Sequence, residues 1–575
     1  MAGIYGILLK NSKQTEIYKN FYNADFPNTI KEEIEYENFL FGRAVLNKFQ
    51  KDRFLFENEK YILCFEGINY ADIYTPKAFI EAYENKGKEF IKDLKGSFSG
   101  FIFAKKEKEI LIFNDILSTR NLYYYYNPDH GLAFASEMHV LSKVLRASGI
   151  SLNYDYNGIY AVALYGQTFY NFTTVAEIKK LNYGSTLSFN LSKNTCKENS
   201  YFQFNRQEKE KPLAEIIEKI DFFMLQAIKE EWQKDQAYDY EHFGLISGGM
   251  DSRVNTMLAK HLGFKNIHTY TYGDPNSSDI KIAQKIAKDN FKTHTQFNLF
   301  SGEFFLENIL ENYVKTTDGL TYFTANAVIY NAFKGINFNN YGLVHSGQLG
   351  DTAMGSFIKP HFDYANQLDK IGLTGFVKPT HLFEKIPFLK DIVKDYQNSD
   401  NDNFTYEQRQ INGTLMGDKV FNNFIDIASP FYDQKFLELM LSIPAKYKIN
   451  QQIYFEWLKA KHPQIVNYKW DKIGLKPKNN FNIKYGRLVK KYINGGKKYF
   501  GLPYDSMSPV NIWLKKDPHI LKEFDKLFDE NIDLIKDEEL KTDLKEIYKN
   551  DIFEFRNKFS VLSALLGIKM HFYEL

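Results

Sequence analysis

The chain has 575 residues, 44% of them hydrophobic, and its 73 Lys and Arg nearly balance 71 Asp and Glu, for a formal charge of +2. Such a length supplies two to four domains with buried cores. A charge so evenly balanced leaves neither a phosphate-backbone footprint nor a polybasic anchor, so neither nucleic acid nor membrane is expected as a partner.

Met1–Leu9 is apolar but has no basic lead, and it reaches Lys10 too soon for a signal peptide. No stretch approaches ~18 apolar residues without a charge. With only Cys64 and Cys196, a disulfide framework or a cysteine zinc site is not expected, and a reducing, cytoplasmic setting fits better. The first 200 residues read as short strands: Ile4–Leu9, Phe39–Leu46, Tyr61–Phe65, Phe98–Phe103, Ile110–Phe113, Leu132–Ala135 and Thr186–Phe189. Helical spacing interrupts them at Pro76–Asn85 and around Ser136–Leu145, which predicts an α+β layer on antiparallel strands. The polar run Asn205–Pro212 has no apolar period and reads as a linker. It separates a domain over 1–204 from one over 213–575.

Past the linker the period changes. Leu213–Trp232 has helical spacing, and Phe243–Ile246 is a buried strand running into Ser247-Gly248-Gly249. A helix is expected from Asp251 to Leu262, then a strand at Ile267–Tyr272 and a helix at Asp279–Lys288. Strands alternating with helices give a parallel sheet, whose ligands sit at the carboxyl ends of its strands. The last 75 residues read as charged amphipathic helices that serve packing.

The turn Ser247-Gly-Gly-Met-Asp-Ser252 carries the chemistry. Two glycines let the backbone approach an anion, and the N–H groups at a helix start suit a pyrophosphate. Hydroxyls of Ser247 and Ser252 add donors. Asp251 would repel phosphate directly but suits a Mg²⁺ bridging the phosphates. This stretch resembles the pyrophosphate motif of the ATP-pyrophosphatases, specifically the asparagine synthetase family. Two more segments fit the resemblance: Thr269–Gly273 with Ser278-Asp279 and Ala283, and Val344-His-Ser-Gly-Gln-Leu-Gly-Asp351 with Gly355. It implies that Ser346 and Gly347 touch ATP and that Asp351 is the second Mg²⁺ carboxylate. Ser429-Pro-Phe-Tyr-Asp433 resembles a structural stretch of the family. Lys472 lies where the family places a cation near the adenylate, suited to charge developing as the acyl group is attacked.

Residues 2–200 resemble the family's glutamine amidotransferase domain through an ordered set of short matches: Gly3–Gly6, Gly42-Arg43, Glu66–Tyr70, Gly96-x-Phe98, Asn114-Asp115, Leu122–Tyr124, Phe134–Glu137 and Ile178-x-x-Leu181-x-x-Gly184. The implied fold is an α+β amidotransferase-like sandwich of the N-terminal nucleophile type, followed by an α/β ATP-pyrophosphatase domain with a parallel sheet and a helical extension. Three departures matter. The family's nucleophilic Cys is replaced by Ala2, whose methyl group cannot attack an amide. An oxyanion-holding Asn, just before Gly67, is replaced by Glu66, whose carboxylate would repel that charge. Engineering of Ala2 would account for the first loss but not the second. Arg43 keeps the ability to hold a carboxylate. Third, asparagine-forming members carry Glu where this chain has Gln348, which takes no proton at neutral pH.

The expected reaction is adenylation of a carboxylate by MgATP, then attack by a nitrogen nucleophile to give an amide, AMP and pyrophosphate. A specialised ligase, such as a β-lactam synthetase, lasso-peptide cyclase or uronic-acid amidotransferase, ranks ahead of asparagine synthesis from aspartate. A non-catalytic nucleotide-responsive binding protein ranks last, because a dead site has no need of both Asp251 and Asp351. A homodimer is compatible with this reading. The carboxylate pocket is expected within Phe304–Phe333 and the loop Ala353–Phe357.

Overall fold

A computed structural model describes residues 3–10, 29–71, 75–204, 206–359, 361–375, 377–397, 401–500, 504–550 and 555–574, with the side chains at 480 and 498 excepted. Ala2 lies outside the described residues.

The N-terminal part holds two six-stranded sheets. The first contains β1 (Gly3–Leu9), β2 (Thr29–Tyr36), β3 (Phe39–Leu46), β8 (Tyr123–Asn127), β9 (Gly131–Ala135) and β10 (Lys179–Lys180), in the order β10-β8-β9-β1-β3-β2. The second contains β4 (Phe54–Glu57), β5 (Tyr61–Asn69), β6 (Gly96–Ala104), β7 (Glu109–Asn114), β11 (Ser185–Asn190) and β12 (Thr195–Ser200), in the order β12-β11-β7-β6-β5-β4. Every pairing in both sheets is antiparallel.

Alternation along the strands builds the layers. Ile4 and Leu8 point between the sheets to meet Phe41, Phe101 and Phe103. Tyr5, Ile7 and Leu9 point the other way, onto the helix Met138–Ala147. The outer face of the second sheet, with Phe65, Phe98 and Phe113, packs on Phe79 of the helix Pro76–Lys86. The result is an α+β sandwich with a helical layer on each side. The expected strand at Phe39–Leu46 forms over those residues, while β2 was not anticipated. Its sequence, Thr-Ile-Lys-Glu-Glu-Ile-Glu-Tyr, is dominated by charge because it is an edge strand with a solvated side.

The third sheet is parallel throughout and contains β13 (Glu241–Leu245), β14 (Ile267–Gly273), β15 (Thr293–Asn298), β16 (Tyr341–His345) and β17 (Ile427–Ala428). Its order is β15-β14-β13-β16-β17. The chain winds outward from β13 in one direction, then returns to place β16 on its other side. That reversal opens a crevice between the carboxyl ends of β13 and β16, where open α/β sheets bind ligands. Helices Leu213–Gln236 and Asp251–His261 cover one face through Trp232, Val254 and Leu258. Phe333, Phe338 and Phe421 cover the other around Phe243. Helices Pro518–Ile532, Glu538–Lys549 and Arg556–Ile568 join Ile159–Phe169 of the N-terminal part in one large apolar cluster. The final helices therefore also clamp the two parts together.

Candidate active site

The crevice holds a cavity of about 520 Å³. Ser247, Gly249, Asp251, Ser252, Ser346, Gly347, Gln348, Asp351 and Lys472 all line it. Residues from three distant parts of the chain thus meet at one place. Gly248 sits just behind, where a Cβ would come within 2.8 Å of the Asp279 backbone.

Hydrogen bonds fix both turns. The Gly249 N–H donates to Ser247 Oγ at 3.1 Å, and Ser247 and Ser252 hydroxyls are 2.8 Å apart. Arg253, fully buried, donates to the carbonyls of Gly248 and Lys469, each at 2.8 Å. Asn255 donates to the Ser346 carbonyl at 2.7 Å, tying the first turn to the second. The two turns touch so closely that a Cβ on Gly347 would lie 2.2 Å from the Ser252 nitrogen. Below Ser346, the Asp235 carboxylate accepts from His242 Nδ1 at 2.8 Å and lies 2.7 Å from His345 Nε2. Against burial, Asp235 raises His345 to about 9, so a buried ion pair braces the end of β16.

Electrostatics divide the cavity. Asp251 Oδ1 is buried without a hydrogen-bond partner. Burial and the neighbouring Asp351 push its carboxyl up to about 8, with Lys472 and Tyr454 opposing. Lys472 Nζ is 2.7 Å from Asp351 Oδ1, which also accepts from Ser356 Oγ at 2.9 Å. Although burial disfavours its charge, Asp351 and Asp251 hold the Lys472 ammonium above its ordinary range. Lys472 balances Asp351, so Asp251 ionises at neutral pH only when a cation joins it, and its orphaned oxygen supplies a hard donor for one. That donor set fits Mg²⁺.

At the other end lies Asp418, which no sequence motif marked. Burial raises it to about 7 against hydrogen bonds from Gln348 and Tyr432, and its Oδ2 is buried with no partner. Thr321, Tyr322, Asn326 and Gly417 complete this end. The expected stretch Phe304–Phe333 therefore contributes Thr321 to Ile329. The expected loop Ala353–Phe357 does not line the cavity. It packs at Gly355 on the Lys448 carbonyl and supports Asp351 through Ser356, and residues 413–421 take its place. Ser429 donates to the Gln348 carbonyl at 2.7 Å, and Asp433 caps the helix Gln434–Ser442.

Two family models match the chain in order: a glutamine amidotransferase domain over residues 76–202 and asparagine synthase over residues 239–413. The chain belongs to the asparagine synthetase family. A Methanocaldococcus jannaschii protein assigned as a glutamine-hydrolyzing asparagine synthetase is 24% identical over 425 residues, covering 72% of this chain and 67% of its own length. Asparagine synthetase B (glutamine-hydrolyzing) of Escherichia coli K12 is 21% identical over 300 residues, covering 50% of this chain and 47% of its own. The chain thus spans about half the length of that second relative. Among solved structures, the glutamine phosphoribosylpyrophosphate amidotransferase of B. subtilis matches 52% of this chain and 90% of its own, at 10% identity and a TM-score of 0.25.

In the N-terminal part, Arg43 and Glu66 each have a neighbouring charged group of the same chain. Arg43 Nε donates to Glu32 Oε2 at 2.5 Å, so much of its cationic hold is spent on a neighbouring carboxylate. Glu66 is buried, with Arg53 Nε at 3.7 Å. Gly67 follows with φ +131°, where a Cβ would strike the Ser97 carbonyl at 2.0 Å. Neither cysteine offers a substitute thiol: burial raises Cys64 well above its ordinary range and Cys196 to about 12.

Proposed function

We propose that this protein is an ATP-dependent, AMP- and pyrophosphate-forming amide ligase whose N-terminal domain does not hydrolyse glutamine. The supporting observation is the meeting of the Ser247–Ser252 and Ser346–Asp351 turns in one cavity around an orphaned Asp251 oxygen.

The Gly248-Gly249 turn and the start of the following helix would bind the β- and γ-phosphates of ATP through backbone N–H groups. Asp251 and Asp351 would hold Mg²⁺, which neutralises phosphate charge and so eases departure of pyrophosphate. A substrate carboxylate oxygen attacks the α-phosphorus, and the bond to pyrophosphate breaks. Nitrogen then attacks the acyl carbon, and AMP leaves. Lys472, beside Asp351, would stabilise the charge developing in that second step.

Nitrogen must lose a proton there, and Gln348 takes none. Asp418 is the better base. It adjoins Gln348, lines the cavity, has one buried oxygen without a partner among the described residues, and its pKa of about 7 suits proton transfer at neutral pH. A base other than the family's Glu favours a specialised nitrogen nucleophile over ordinary asparagine formation.

Incubation with MgATP and acceptor panels, including aspartate with ammonia and uronic acids with ammonia, tests the reading. AMP and pyrophosphate should appear together with one acceptor class. ADP and orthophosphate, or no affinity for MgATP, would end it.

A further inference from the structure

The near-neutral net charge conceals a strong local imbalance. Between Lys472 and Phe500 the chain carries nine Lys and Arg and no Asp or Glu. Against a total of +2, the rest of the chain is net negative. Most of this segment is one helix, Asn480–Tyr499. Its inner face is fastened to two buried residues of the cavity wall. Arg487 donates to Gln451 Oε1 at 2.7 Å and lies over the Trp470 ring at 5.0 Å, and Lys490 pairs with Asp505 at 2.6 Å. Gln451 and Trp470 both line the cavity.

The outer face is apolar and exposed among the described residues. Phe481, Tyr485, Leu488, Val489, Tyr492 and Tyr499 are 44–85% exposed. Spaced at i, i+4, i+7, i+8, i+11 and i+18, they form one stripe along the helix. Nine of the thirteen large exposed hydrophobics among the described residues fall between Leu475 and Phe500. Lys484 and Lys491 flank the stripe at the same helical spacing as its apolar members. Scattered surface hydrophobics are ordinary, but a contiguous aromatic stripe bordered by cations marks an interaction face.

We infer that the Asn480–Tyr499 helix lies in the surface of an anionic lipid bilayer, with its inner face packed on the wall of the cavity. The chemistry selects this occupant. A second copy would set the flanking Lys484 and Lys491 of one stripe against those of the other, with no carboxylate in either segment. Single-stranded nucleic acid also uses cations and aromatics, but Leu488 and Val489 at the centre of the face offer it neither a stacking platform nor a hydrogen bond. Tyr and Phe with flanking Lys match the polar–apolar boundary of a bilayer. No helix among the described residues is long and apolar enough to cross a membrane, so binding would be in plane. This inference does not depend on the reading of the cavity.

The full chain should sediment with vesicles of phosphatidylcholine mixed with phosphatidylglycerol and remain free with phosphatidylcholine alone. Binding should weaken as salt rises. Leu488→Glu/Tyr492→Glu should bind at least tenfold more weakly, and Lys484→Glu/Lys491→Glu likewise, while both keep wild-type MgATP affinity as a check on folding. Absence of vesicle binding, equal binding to neutral vesicles, or unchanged binding by both variants overturns the inference. So does a wild-type dimer that Leu488→Glu/Tyr492→Glu converts to monomer without any vesicle binding, or tight binding to RNA that the same variant abolishes.

Discussion

Asp426 and Asp251 are both aspartates of the C-terminal domain, and their surroundings drive them in opposite directions. Asp426 sits at the seam between the two domains, with Arg53 at 2.5 Å and Arg120 on its other oxygen. Against burial, those two guanidinium groups hold its carboxyl below the ordinary range. Asp251 lines the cavity, and burial with Asp351 nearby pushes it up to about 8. Asp279 rises to about 7 for similar reasons, with burial first and Asp471 second, and one oxygen of each of Asp251, Asp279, Asp418 and Asp471 is buried without a partner. The seam has matched its charges internally, so its network serves structure. The cavity and the turn behind it have collected carboxyl oxygens without partners among the described residues, which is costly unless a cation or a proton completes them.

Substitution at each aspartate separates the two cases. Asp251→Asn should lower pyrophosphate formation at least a thousandfold, about 4 kcal/mol of transition-state stabilisation. Its thermal midpoint should hold or rise, because folding no longer has to bury a carboxyl whose pKa it raises. A rate within tenfold of wild type would remove Asp251 from the chemistry. Asp426→Asn should behave in reverse. It leaves Arg53 and Arg120 buried beside a neutral amide, a loss of about 3–5 kcal/mol. Urea unfolding should shift by that amount, with activity per folded molecule close to wild type. An unchanged midpoint would mean that the seam contributes little.

Asp418 gives an intermediate case and carries the pH dependence. Its folded pKa is raised to about 7, so it is protonated below that value and free to accept a proton above it. Amide formation should therefore climb with pH up to about 7 and level off above. Asp418→Asn should lower amide formation about a hundredfold and remove that rise, while ATP–pyrophosphate exchange driven by the carboxylate alone persists. Loss of both partial reactions together would make Asp418 a structural residue.

The legibility of these features follows from how local each one is. The turns at Ser247–Ser252 and Ser346–Asp351 could be read because each packs its groups into a few consecutive residues after an apolar strand. Inner strands such as Phe39–Leu46 were legible because burial on both faces leaves a run of apolar residues. The edge strands Thr29–Tyr36 and Thr293–Asn298 were not, since solvent on one side lets Lys, Glu, Gln and His interrupt the pattern. Asp418 was invisible for a different reason. Nothing around it in sequence hints at chemistry, and only the return of β17 beside β16 and the packing of residues 413–421 bring it to Gln348. Seam residues Arg53, Arg120 and Asp426 share that difficulty, because their partners are about 300 residues or more away. The basic helix was missed by averaging, since a chain-wide charge of +2 conceals a segment with nine cations.

The smallest expected effect is the most informative about the N-terminal domain. Ala2→Cys restores a thiol to the second residue, and if the missing nucleophile were the sole defect, glutamate release from glutamine should appear. Two side chains oppose that outcome. Arg43, which the resemblance implies would hold the substrate carboxylate, already donates to Glu32 at 2.5 Å, and Glu66 stands where the resemblance implies an oxyanion-holding Asn. Removing an oxyanion donor alone costs about 10²–10³ in rate, and a carboxylate in its place adds repulsion. Glutamate release by Ala2→Cys should therefore stay at background, and a measurable rate should require Glu66→Asn as well. Activity in Ala2→Cys alone would show that Glu66 is harmless and that the domain is a single substitution from function. Silence in the double variant would place the defect in the Glu32–Arg43 pair, which Glu32→Gln in the same background would then release.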